Sequence, residues 1–125
     1  MNIDTIHDVD DLYRRVAEYW IKESGEISTA AFQNAVGTDE MSVDLGRLTT
    51  PKTTALDESN YGVASFLAGV ARELEQEVFH SPTQDNVAHS TVKGQKTKSM
   101  RKKLSSQSKL ILWPANIKNP QGSNL

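Results

Sequence analysis

A chain of 125 residues without a single cysteine must hold its shape by burying side chains. Disulfide frameworks, thiolate nucleophiles and cysteine-based zinc or iron–sulfur sites are excluded. The length suits one hydrophobic core and leaves no room for a second. Hydrophobic residues make up 37% of the chain and mean hydropathy is −0.52, so the core must be assembled from short apolar stretches. None of them approaches the ~20 apolar residues of a membrane helix. The opening Met1-Asn2-Ile3-Asp4 is acidic and leads into no apolar stretch, which argues against a secretory leader. The expected location is the cytoplasm.

Apolar spacing predicts the elements. Val9, Leu12, Val16 and Trp20 recur at i, i+3, i+7 and i+11, so residues 8–24 are expected as a helix. Asp8 would be its N-cap and Gly25 its stop. Ile27, Ala30, Ala31 and Phe32 suit a helical turn capped by Ser28. Met41–Leu45 alternates apolar and polar, as a half-buried strand does. Thr50-Pro51 suits the start of a short helix over 51–57. Val63, Phe66, Leu67, Val70 and Leu74 suggest a second helix over 61–76. Gly69 costs about 1 kcal/mol there, which leaves a strand over 63–67 and a shorter helix from Val70 as the rival.

Glu77–His80 and Val87–Lys93 read as strands joined by the turn formers 81–86. A register facing His80 with Val87 and Val78 with His89 would put both histidines on one face. Residues 95–107 suit a basic helix capped by Thr97 or Ser99. Leu110–Trp113 is a last strand or a helix continuation, stopped by Pro114. Together these predict an α+β fold: a small, mostly antiparallel sheet packed with two to three helices. Residues 1–113 would form one domain and 114–125 a flexible tail.

The order of Ile27–Phe32, Asp39–Asp44, His80-Ser81-Pro82 with Asn86-Val87-Ala88-His89, and Lys96–Ser99 with Arg101–Leu104 resembles a group of small bacterial proteins. The resemblance covers roughly residues 10–113. Val87 departs from it where the group places a proline, as does the neighbourhood of Glu75, where a glycine would close the second helix. The resemblance implies a compact single domain and brings no activity with it.

Three constellations could carry chemistry. His80 and His89, with Asp85 or Asp44 orienting one ring, could act as a general acid–base pair on a phosphodiester or nucleotide, without a metal. The blander reading is two histidines bonded to backbone carbonyls. As metal ligands, the same four residues give a bare count of donors with no recognisable spacing, so neither metal nor cofactor is expected. Gly94-Gln95-Lys96-Thr97 echoes a phosphate loop but lacks its glycine and its Gly-Lys-Ser/Thr order, and Ser28 and Thr50 fit helix caps better. Tyr13, Tyr19 and Trp20 could give helix 8–24 a partner surface, including one for self-association.

Charge supplies the third. The formal net charge of −2 conceals a split, since all 16 acidic residues lie in 1–90, beside 6 of the 14 basic ones. Residues 91–125 carry the other 8 and no acid. Lys93, Lys96, Lys98, Arg101, Lys102, Lys103 and Lys109 crowd one short segment. On a helix from about residue 96, Lys98, Arg101, Lys102 and Lys109 would form one stripe. Such a stripe suits a nucleic acid or an acidic protein surface. It lacks aromatics for base stacking. It could equally pack against the acidic part of its own chain. The reading is thus a non-catalytic binding module, with a histidine-pair enzyme and an oligomerising structural protein as alternatives.

Overall fold

The structure, a computed structural model, describes residues 2–117. Its strands are β1 (Asp11–Ala17), β2 (Glu40–Leu45), β3 (Tyr61–Leu67), β4 (Glu77–His80), β5 (His89–Lys93) and β6 (Lys109–Leu112). Its helices are α1 (Pro51–Ala55), α2 (Ala68–Glu73) and α3 (Lys98–Gln107). The strands form one antiparallel sheet in the order β4-β5-β2-β1-β3-β6. This is the α+β fold expected from the sequence.

One face of the sheet carries the core. Leu12 and Val16 of β1, Met41, Val43 and Leu45 of β2, and Phe66 of β3 are all buried there. Ala31 and Phe32 cover them from a 3-10 turn over Thr29–Phe32, joined by Ala68 and Ala71 of α2 and Leu104 of α3. The caps follow the expected chemistry, which satisfies otherwise orphaned backbone donors. Ser28 accepts from the Ala30 amide, Thr50 from Thr53 and Thr97 from Met100, each at 3.2 Å.

The helix expected over 8–24 is not formed. Asp11–Ala17 is a strand, followed by a 3-10 turn over Glu18–Trp20. Leu12 and Val16 satisfy period two as well as they satisfy a helical stripe, and Val9, the first member of that stripe, is exposed. The intervening inward position holds Arg14, whose charge hides the strand pattern. β1 and β2 pair only at Leu12 with Leu45 and Tyr13 with Asp44. Where they part, Arg14 Nε donates to the Ala31 carbonyl at 2.9 Å and Nη1 to the Ser42 carbonyl at 2.7 Å. Burial pushes this guanidinium down to about 10, and the neighbouring Arg15 acts in the same direction.

The helix expected over 61–76 is also replaced, in favour of its rival. β3 is a central strand covered on both faces, which gives it a continuous apolar run rather than alternation. The main core lies on one side. On the other, Val63 packs with Leu112 and Ala55 of α1 in a smaller cluster. Leu110–Leu112 belongs to β6, so the strand alternative for that run is the observed one.

The β4–β5 hairpin exists in a different register. His80 faces Ser90 and Val78 faces Val92. The start of the expected tail is tied down: Pro114 is fully buried, the Ala115 amide donates to the Glu58 carbonyl at 2.8 Å, and Ile117 packs against the core. The rest of that tail, 118–125, lies outside the described residues. Among the described residues, no helix is long and apolar enough to cross a membrane.

Candidate functional site

The basic segment does not act as one unit. Lys96 turns inward and is 7% exposed. Its Nζ donates to Asn34 Oδ1, to the Val92 carbonyl at 3.0 Å and to the Gly94 carbonyl at 3.1 Å. Burial pushes its ammonium down to about 8, partly offset by Asp39. Arg101 is half-buried and donates through Nη1 to the Lys96 carbonyl at 2.9 Å. These two cations are therefore spent on the local fold around the start of α3.

The other members face solvent. Lys98, Lys102 and Lys103 are exposed along α3, which Leu104 anchors to the core. Lys109 is exposed but belongs to β6, so it does not continue the helical stripe. Lys93 is half-exposed at the end of β5. The ion pairs among the described residues join Lys22 to Glu26, Arg47 to Asp4 and Asp10, and Arg72 to Asp8. None involves Lys93, Lys98, Arg101, Lys102, Lys103 or Lys109. Lys98 and Lys102 instead line a groove of about 660 Å3 against residues 25–29, with the hydroxyls of Ser28, Ser105 and Ser106.

The histidines are not brought together. Because His80 faces Ser90, its neighbour His89 points to the opposite side of the sheet. His80 is buried. Its Nδ1 accepts from the Asp4 amide at 2.8 Å, so Nε2 carries the proton and donates to the Val87 carbonyl at 2.7 Å. Asp85 is exposed and orients neither ring. The acid–base pair His80–His89–Asp85 is thus not assembled; a shift of three residues in the β5 register separates the two rings. Among the described residues, no three His, Asp or Glu side chains converge as a metal would require.

His89 has other partners, on the sheet face away from the main core. Its Nδ1 lies 2.9 Å from the Ser81 carbonyl and its Nε2 3.1 Å from Ser42 Oγ. Beside it, the buried Asp44 carboxylate accepts from Thr54 Oγ1 at 2.7 Å and from Asn86 Nδ2 at 2.9 Å. These groups border a cleft of about 470 Å3 walled by Tyr13, Tyr61 and Leu56. Arg15 reaches over the Tyr61 ring, 5.1 Å from its centroid. The sequence reading found His89 and Asp44 but missed Ser42, Thr54 and Asn86 as their partners. Pairing the alternating strand 41–45 with Val87–Lys93 would have brought Ser42 and Asp44 to His89, since Asp44 sits directly opposite it, but not Thr54 of α1 or Asn86 of the loop.

Compared with known proteins, the chain matches no family model, no curated protein and no solved structure.

Proposed function

We propose that this chain is a binding module of the cytoplasm that offers α3 to an acidic protein surface. The observation that carries the reading is the division of labour within the basic segment. Lys96 and Arg101 donate to backbone carbonyls within the fold, whereas Lys98, Lys102 and Lys103 are exposed and make no ion pair among the described residues. A compact acidic patch would meet these lysines alone. An extended polyanion would also meet the strongly acidic remainder of the chain, which favours a protein partner over nucleic acid.

Fluorescence anisotropy with a labelled oligoglutamate and a single-stranded DNA of equal length tests this. The peptide should bind at ~50 mM salt and be largely released by ~200 mM, as expected for exposed charges within a Debye length. Lys98→Glu/Lys102→Glu/Lys103→Glu should abolish binding, while Lys52→Glu on α1 leaves it intact. No binding at low salt, or equal binding by the triple variant, overturns the reading. Tighter binding of the DNA replaces the acidic protein with nucleic acid as partner.

A further inference from the structure

We propose that Ser42 is a nucleophile activated by His89 and that the adjoining cleft accepts small carboxylic esters. The geometry sets the direction of each hydrogen bond. A carbonyl oxygen only accepts, so the 2.9 Å approach of His89 Nδ1 to the Ser81 carbonyl favours the tautomer with the ring proton on Nδ1, where the Ser81 hydroxyl at 3.0 Å also accepts it. Nε2 is then left with its lone pair, and the Ser42 hydroxyl at 3.1 Å donates to it. This is the relationship of nucleophile, base and orienting group, with a backbone carbonyl in the orienting place. Ser81 is itself fixed, through a 2.7 Å bond between its hydroxyl and Thr91 Oγ1.

Position and access agree with this role. Ser42 is exposed on β2, while His89 lies diagonally across on β5 and on the same sheet face. Arg14 borders the same cleft and holds the Ser42 carbonyl at 2.7 Å. Its guanidinium is bonded to the Ala31, Ser42 and Gln33 carbonyls, so it fixes the strand that carries Ser42. Tyr13, Tyr61 and Leu56 offer an apolar wall to the acyl or leaving group.

The step balances without a metal or redox partner. Ser42 Oγ bonds to the ester carbonyl carbon as its proton passes to His89 Nε2. The carbon–alkoxy bond then breaks, and the departing alcohol takes that proton. A water molecule, giving its proton to His89, attacks the acyl-serine. The acid leaves, and the Ser42 hydroxyl is restored.

The test is incubation of the full chain with a fluorophosphonate, read by intact mass and peptide sequencing, alongside hydrolysis of 4-nitrophenyl acetate. The expected result is one adduct on Ser42, absent in Ser42→Ala and retained in Ser59→Ala, an exposed serine outside both sites. His89→Ala should slow labelling about 100-fold, the usual scale of a lost general base. Ser42 is exposed, so its alanine variant should keep the fold, checked by circular dichroism; this arm decides even if His89→Ala unfolds. No adduct, an adduct elsewhere, or ester hydrolysis unchanged in Ser42→Ala overturns the proposal.

Discussion

Arg14 Nη1 donates to the carbonyl of Ser42 at 2.7 Å, across the gap where β1 and β2 part. A side chain thereby replaces the ladder hydrogen bonds that a longer strand pair would make. The same guanidinium ties the sheet to the turn over Thr29–Phe32 through the Ala31 carbonyl. Arg14→Ala leaves three backbone acceptors, the Gln33 carbonyl included, short of a donor and should cost about 2–4 kcal/mol. Arg14→Lys should recover little of this, because an ammonium cannot reproduce the planar fork. Urea denaturation of the three proteins measures it; equal midpoints for wild type and Arg14→Ala would remove this role.

Lys96 should give stability a distinctive alkaline slope. In the fold its ammonium titrates at about 8, below the ordinary 10.5. Below pH 8 folded and unfolded chains both hold the proton, and the fold bears the cost of burying it. Between about 8 and 10.5 the unfolded chain keeps a proton that the folded chain has released, so this group makes stability rise with pH. Unfolding free energies across that window should climb more steeply in wild type than in Lys96→Met. Parallel curves would show that Lys96 keeps its proton in the fold.

Asp44 pins the loop between β4 and β5. Its carboxylate is bonded to Asn86 in that loop and to Thr54 on α1. Asp44→Ala leaves both donors facing a void and should cost about 1–3 kcal/mol. Amide exchange over residues 82–88 should accelerate, while that of α3 should not. Unchanged loop exchange would mean that the other bonds, His80 to the Val87 carbonyl and the Leu45 amide to the Ala88 carbonyl among them, suffice to hold the segment.

Gly62 is set by close backbone approach. A Cβ there would lie 2.5 Å from the Leu112 carbonyl oxygen of the neighbouring β6. Gly62→Ala must therefore push β6 away, at a cost of about 1–3 kcal/mol. Thermal denaturation should show a clear loss, with amides of residues 109–112 exchanging first. A variant as stable as wild type would contradict the tight β3–β6 packing.

Sequence patterns were legible where local chemistry decides the structure. Thr97, Thr50 and Ser28 cap the elements they were expected to cap. The alternation of Met41–Leu45 and the hairpin strand Glu77–His80 came from residue order alone, and the strand expected over Val87–Lys93 forms over His89–Lys93. Long-range partners decide the rest. Whether Leu12 and Val16 lie on a helix or a strand depends on β3 beside them, and Arg14 at the inward position obscures their alternation. β3 is apolar on both faces because α1 covers the second one. The hairpin register depends on Asn86 reaching Asp44, a bond between residues 42 positions apart. Three residues of register decide which face His89 occupies, and so which side chains can serve it.

The most direct test of the binding account is an amide NMR titration of the full chain with oligoglutamate at ~50 mM salt, a condition where exposed charges act over about a Debye length. The account predicts shifts concentrated at Lys98, Lys102, Lys103 and the adjoining Ser105 and Ser106, with His89 and the rest of its sheet face unmoved. Shifts centred on another surface, or none on α3, would contradict it.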